Sequence, residues 1–215
     1  MIYSKDSATK MASLLLQARA VQLNPLQPYT WSSGWKSPIY CDNRLTLSFP
    51  EIRTYIKEKL AEIIRVKFPE TELIAGVATA GIPHGALVAD HLETPFCYVR
   101  SAPKNHGLKN RIEGLALAGQ HAIVVEDLIS TGDSSLSVLA ALRESGVKAA
   151  GMIAIFTYGF PSAEKKFRDA DCPVYTLTDY ETLLHVAVDE GSVLSSELNT
   201  LKQWRDNPEN WGVEA

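Results

Sequence analysis

The sequence predicts an α/β fold in which helices flank a central, mostly parallel sheet and a small N-terminal hood precedes it. Three observations carry this reading. From Pro69 onward, short apolar segments alternate with stretches of helical period. The segment Ala122-Ile123-Val124-Val125 is apolar without alternation, as expected of a strand covered by helices on both faces. Residues 26–44, by contrast, are rich in Pro, Ser, Trp and Tyr, with extended pieces such as Pro38-Ile39-Tyr40-Cys41 that suit a loop and hairpin.

The elements follow in order. Met11, Leu14, Leu15, Ala18 and Val21 recur at helical spacing and predict an amphipathic helix that Asn24-Pro25 ends. Pro50, then Ile52, Tyr55, Ile56, Leu60 and Ile63, predicts a second helix, with proline in the first turn where its missing N–H costs nothing. Strands are expected at Leu73–Ala78, Phe96–Arg100, Ala122–Glu126, Ala150–Phe156 and Val174–Thr178, and helices at about Ile82–Leu92 and Ser134–Ser145. Leu194, Leu198, Leu201 and Trp204 read as a closing helix. In such a fold ligands sit at the carboxyl ends of the strands.

Composition narrows the function classes. With 21 Lys and Arg against 25 Asp and Glu in 215 residues, the net charge is −4, which argues against nucleic acid held by bulk charge. Cys41, Cys97 and Cys172 are odd in number, widely spaced and part of no CxxC, so reduced cytoplasmic thiols are expected rather than a disulfide framework or a zinc site. Lys5, Asp6, Lys10 and Arg19 interrupt the first twenty residues, where a signal peptide needs an apolar run. The longest uncharged run, residues 73–89, is broken by Gly76, Gly81, Pro83 and Gly85 and is too short to span a membrane. A soluble, intracellular protein is expected.

The most informative segment runs from Ile123 to Ser135: a buried strand, the acids Glu126 and Asp127, the apolar Leu128 and Ile129, then Ser130-Thr131-Gly132-Asp133-Ser134-Ser135 opening a helix. Backbone N–H groups and the hydroxyls of Ser130, Thr131, Ser134 and Ser135 can surround a phosphate at a helix N-terminus. Vicinal acids beside it suit a ribose 5-phosphate, whose hydroxyls, with any bound Mg²⁺, need hard acceptors. The plainer alternative is a capped helix, with Thr131 or Asp133 as N-cap and solvated acids. Upstream, Arg100, Lys104, His106 and Lys109 concentrate donors for an anion such as pyrophosphate in a loop expected to be mobile. Arg111 reads as a solvated charge of that loop.

These two segments join a third, Thr30-x-x-Ser33-Gly34-x-Lys36-Ser37-Pro38 followed by Tyr40, and together they resemble the bacterial orotate phosphoribosyltransferases over almost the whole chain. Gly76-Val77-Ala78-Thr79-Ala80-Gly81-Ile82-Pro83 is similar to that family's loop near pyrophosphate. The resemblance implies a type I phosphoribosyltransferase fold: a single domain over 1–215, with helix and hood over 1–48 and a core over 70–180 that binds phosphoribosyl pyrophosphate (PRPP). It implies transfer of the 5-phosphoribosyl group from PRPP to orotate, giving orotidine 5′-monophosphate and pyrophosphate in pyrimidine biosynthesis, with Mg²⁺ carried on PRPP and no dedicated protein ligands.

By the same resemblance Arg100, Lys104 and His106 hold pyrophosphate, and Glu126 and Asp127 take the ribose hydroxyls and steady the cationic sugar. Leu128, Ile129, Ser130, Thr131, Gly132, Asp133 and Ser134 bind PRPP around its 5-phosphate. Lys104, His106 and Asp127 are the implied catalytic residues, and Ser130, Lys36 and Tyr40 the implied orotate contacts; Tyr40 can equally be a packed hood residue. Trp31 and Trp35 read as structural. A cytoplasmic homodimer is implied, with flap residues shared across its interface and with neither nucleic acid nor membrane as partner. Ser32, Ala80, Ser101 and Phe156-Thr157-Tyr158 stand where certain members carry cations, so Lys36, Arg44 or helix-terminal N–H groups must offset orotate's charge. Asp133 stands where glycine is common and is expected to point outward. A purine or uracil transferase and a PRPP-sensing regulator are the rival readings.

Overall fold

Alternate side chains of the apolar strand segment enter two different cores. Ile123 and Val125 pack on one face with Ile74, Ile153 and Ile155, while Ala122 and Val124 pack on the other with Leu73, Ala75, Met152 and Ala154. Every one of these residues is buried. Both faces are apolar because both are covered, which is why period-two alternation is missing.

The computed structural model describes residues 2–31, 33–100 and 111–212. In chain order the elements are α1 (Lys5–Gln17), β1 (Val21–Leu23), β2 (Tyr29–Thr30), β3 (Lys36–Ser37), β4 (Ile39–Cys41), a 3-10 stretch at Asn43–Ser48 and α2 (Pro50–Lys67). There follow β5 (Leu73–Val77), α3 (Gly81–Leu92), β6 (Phe96–Val99), β7 (Ile112–Glu113), β8 (His121–Ile129) and α4 (Asp133–Glu144). The chain continues through β9 (Lys148–Thr157), α5 (Pro161–Asp169), β10 (Val174–Asp179), α6 (Tyr180–Asp189), a 3-10 turn at Ser195–Glu197 and α7 (Leu198–Asp206).

The main sheet has the order β10-β9-β8-β5-β6-β7, parallel except for the antiparallel β6–β7 pair. α1, α2 and α6 contribute to one core, α4 and Phe167 of α5 to the other. The hood comprises two antiparallel pairs, β1 with β4 and β2 with β3. An aromatic cluster fastens it down. Trp31 of the hood lies 5.2 Å from Tyr158 and 5.5 Å from Trp204, centroid to centroid, and Trp204 donates its indole N–H to the Lys36 carbonyl at 3.1 Å.

Several boundaries differ from the sequence reading. α1 stops at Gln17, Arg19 takes a positive φ of 52°, and Val21 opens β1, so Ala18 and Val21 keep the apolar period without being helical. β8 extends to Ile129, because β9 continues to pair with it through Leu128 and Ile129. The closing helix starts at Leu198, and Leu194 is 67% exposed ahead of it. α5 and α6 were not anticipated.

One close approach ties the fold to its ligand end. A Cβ on Gly81 would sit 2.5 Å from the Val125 carbonyl oxygen, so the start of α3 rests directly on the β8 backbone. Gly81→Ala must separate two main chains, and a loss of about 1–3 kcal/mol is expected in urea unfolding at neutral pH; an unchanged midpoint would contradict this packing.

Candidate active site

β5, β6 and β8 all end on the same side of the sheet, and Arg100, Glu126, Asp127 and the loop after Ile129 lie at that end. Gly76 is in register with Tyr98 of β6 and with Val125 of β8. Arg100 therefore follows β6 at the same end of the sheet as the acid pair, with β5 between β6 and β8; it is exposed. Lys104, His106 and Lys109 lie outside the described residues. Arg111 is no free surface charge: its guanidinium donates to the Arg100 carbonyl at 2.9 Å and to the Ser137 hydroxyl of α4 at 2.8 Å. It bridges the strand end to α4, a role that its position in a basic run conceals.

Glu126 and Asp127 lie inside β8, where the alternation of the strand breaks: Val125 and Leu128 share one core and Val124 and Ile129 the other, so the two carboxyls lie close together. Glu126 is only 5% exposed, and both its oxygens are engaged: Oε1 accepts the Asp127 N–H at 3.0 Å and Oε2 the Ser135 hydroxyl at 3.1 Å. The Ser135 hydroxyl is thus committed to Glu126. Burial, with the Asp127 charge next to it, pushes the Glu126 carboxyl well above the usual carboxylate range. Asp127 is half-buried and is also raised, chiefly by burial. The pair holds protons more tightly than solvated acids do and is stabilised by whatever brings donors or positive charge to it.

The loop that follows decides between a phosphate cradle and an ordinary capped helix. The N-cap of α4 is Gly132, at φ 81°, and no side chain caps the helix. Neither Thr131 nor Asp133 takes that place. The Thr131 hydroxyl instead donates to Asp133 Oδ2 at 2.9 Å, and Asp133 turns outward to the ammonium of Lys166 on α5. That contact holds the Asp133 carboxyl below the usual range. The first-turn N–H groups of a 12-residue helix are left without a side-chain acceptor, the local condition for binding an anion. A Cβ on Gly132 would lie 2.9 Å from Phe167, so the positive φ and the close packing both call for glycine.

Beside the loop, a cleft of about 540 Å³ is lined by hood residues including Trp31, Tyr40 and Cys41, by Leu128 of β8, by Ser130 and Thr131 of the loop and by Tyr158 just past β9. Ser130 and Tyr40 thus share one cavity. Tyr40 is 42% exposed and its ring tilts against Tyr29 at 5.6 Å. Lys36 is exposed at the rim, its ammonium on the Thr30 hydroxyl at 2.9 Å. Arg44 is committed elsewhere, paired with Asp42 at 2.6 and 2.8 Å.

No group of three or more His, Cys, Asp or Glu side chains converges among the described residues. The two carboxylates are hard oxygen donors that fit a Mg²⁺ bringing most of its own ligands. His84 is a functional-region residue that sequence reasoning missed. It is 1% exposed, packs beside the Asn43 main chain, and neither ring nitrogen has a hydrogen-bond partner among the described residues.

Set against known proteins, residues 47–189 match the family profile described as the phosphoribosyl transferase domain, which defines the class. The orotate phosphoribosyltransferase of Bacillus pumilus (strain SAFR-032) is 56% identical over 209 residues, covering 96% of this chain and 99% of the relative. Among solved structures, orotate phosphoribosyltransferase from Aeropyrum pernix superposes with a TM-score of 0.70 at 23% identity, covering 85% of this chain and 99% of that one. The Mycobacterium tuberculosis H37Rv orotate phosphoribosyltransferase in complex with PRPP gives 0.64 at 20% identity, with 82% and 98% covered. The chain belongs to the orotate phosphoribosyltransferase family.

Two outcomes follow from the titrating groups. The raised Asp127 carboxyl means that the native state binds protons more readily than the unfolded chain, so the charged group opposes folding increasingly as pH rises through the carboxylate range. Asp127→Asn is therefore expected to melt above the parent at pH 7, with the gap closing near pH 4; a variant less stable at pH 7 would contradict this. Burial pushes His84 down to about 4, so the native state resists protonation and stability is lost as pH falls from about 6.5 toward 4. His84→Gln should remove a loss of about 2 kcal/mol between pH 7 and pH 5, read from urea midpoints at the two pH values.

Proposed function

We propose that the protein transfers the 5-phosphoribosyl group of PRPP to orotate, releasing pyrophosphate and forming orotidine 5′-monophosphate. The observation that carries this is the continuity of β8, the Ser130–Gly132 loop and α4. One stretch of chain presents a desolvated acid pair and an uncapped helix start, and the hood cleft opens onto the same loop. A ribose 5-phosphate needs acceptors at one end and donors at the other. The base then occupies the cleft that Ser130 shares with Tyr40.

In this reading the first turn of α4, with Ser130, Thr131 and Ser134, holds the 5-phosphate. Asp127, more accessible than Glu126, accepts from the ribose hydroxyls, and Glu126 braces it through the Asp127 N–H. As the bond from ribose C1 to the pyrophosphate oxygen breaks, the electron pair leaves with pyrophosphate and the sugar becomes cationic. The nitrogen N1 of orotate closes on C1, and its proton passes to the departing pyrophosphate. The carboxylates stabilise the positive sugar, while Arg100, Lys104 and His106 stabilise the leaving anion, so both charges of the transition state meet opposite charge. Mg²⁺, when bound, offsets pyrophosphate charge. Lys36 is the partner assigned to the orotate carboxylate, because Arg44 is already paired with Asp42 while Lys36 contacts only a neutral hydroxyl among the described partners. No helix among the described residues is long and apolar enough to cross a membrane, and the three cysteines are free. A cytoplasmic homodimer completes the proposal.

The test is pyrophosphate release by the purified protein given PRPP, Mg²⁺ and, separately, orotate, uracil, hypoxanthine, xanthine and adenine. Release with orotate alone is expected. Release with another base would overturn the assignment of the cleft, and PRPP binding without turnover would indicate a regulator. Lys104→Ala is expected to lower kcat at least about 100-fold with an unchanged melting temperature; full activity would remove Lys104 from the mechanism.

A further inference from the structure

Asn43 stands between the hood and the acid pair. It is fully buried, and its Nδ2 donates to the Asp127 carbonyl at 2.7 Å across 84 residues of sequence. Its own carbonyl accepts the Thr46 hydroxyl at 2.6 Å, and its Oδ1 accepts the Cys41 thiol at 3.4 Å. Each hydrogen-bonding end of the side chain thus touches a different part of the site: Cys41 lines the cleft and Asp127 lies in β8.

The position of this contact along β8 gives it mechanical meaning. The ladder between β5 and β8 ends at Gly76–Val125, whereas β9 stays in register with β8 through Leu128 and Ile129. Past Val125 the edge of β8 that faced β5 has lost its strand partner, and the Asp127 carbonyl takes its donor from Asn43. In a planar trans peptide the carbonyl and the next N–H point to opposite edges. A donor that holds the Asp127 carbonyl on the vacated edge therefore fixes the plane of the Asp127–Leu128 peptide, whose Leu128 N–H donates to the Asp127 carboxylate. The peptide plane sets the direction of the Asp127 side chain.

We infer that Asn43 is a positioning residue for phosphoribosyl transfer, orienting Asp127 against the ribose and locking the base-binding hood to the strand that carries it. This deepens the proposed function and rests on it. Asn43 touches neither reactant; it fixes the separation between the cleft, where the base lies, and the carboxylate at the sugar. Small misplacements of reacting groups lower turnover more than they lower binding.

The experiment is a double-mutant cycle on four proteins: parent, Asn43→Ala, Asp127→Asn and the double variant. Each is measured for ribose 5-phosphate binding by calorimetry and for turnover with PRPP, Mg²⁺ and orotate. Asn43→Ala is expected to lower kcat about 10- to 100-fold, to change KM for orotate less than about three-fold, and to weaken ribose 5-phosphate binding about five-fold. In the Asp127→Asn background, Asn43→Ala should change ribose 5-phosphate binding less than about two-fold, since it acts through the carboxylate already removed. Should Asn43→Ala not fold, Asn43→Ser, too short to reach the Asp127 carbonyl, carries the same comparison. Unchanged kcat and binding in the folded single variant, or effects that multiply in the double variant, would overturn the inference. A parent that binds ribose 5-phosphate but turns over no base refutes the proposed function, while the binding cycle still decides the role of Asn43. A parent that does not bind ribose 5-phosphate overturns both.

Discussion

Two adjacent carboxylates must be kept at the end of a strand that is buried on both faces, and much of the surrounding structure exists to make that tolerable. Burial alone drives both acids toward protonation. Hydrogen bonds from Ser135 and from the Asp127 N–H occupy the deeper one, while the shallower one stays within reach of a ligand. A site of this kind is destabilised when empty and relieved by bound hydroxyls or positive charge, so binding energy is focused where positive charge develops during transfer.

The same strand end explains the glycines and the missing cap. Gly81 lets the start of α3 lie against the β8 backbone, and Gly132 turns the chain into α4 without placing a side chain over its first N–H groups. An ordinary Ser or Thr cap would stabilise the helix but would also occupy the first-turn N–H groups, which an anion could otherwise take. Asp133, a charge that would repel an anion from within the loop, is drawn outward by Lys166. The open helix start thus depends on a side chain from α5, 33 residues further along the chain.

The hood depends on tertiary contacts even more completely. Its strands are two or three residues long, too short to persist alone. Trp31 and Trp35, read from sequence as structural, stack on each other, and Trp31 packs on Tyr158 and Trp204. Tyr158 follows β9 and Trp204 belongs to α7, so the sheet and the last helix together hold the cleft-lining hood residues over the strand ends. Asn43 adds a polar tie between the hood and the carboxylate strand.

What the sequence by itself determined was the α/β layering and the order of acid pair, polar loop and helix, because burial on both strand faces and the chemistry of a loop entering a helix are local patterns. It misplaced the end of α1, where Ala18 and Val21 keep the apolar period through a turn and into a strand. It passed over α5, which buries only Ala163 and Phe167, and α6, which follows β10 with no intervening loop, Asp179 being both strand end and N-cap. Only the tertiary structure decided that Ser135 serves Glu126, that Asp133 answers to Lys166, that Arg44 is held by Asp42 and not left free, and that Asn43 reaches Asp127. The physical reason is common to all four: a hydrogen bond or ion pair is selected by which donors and acceptors meet in space after burial, and spacing along the chain does not encode that meeting.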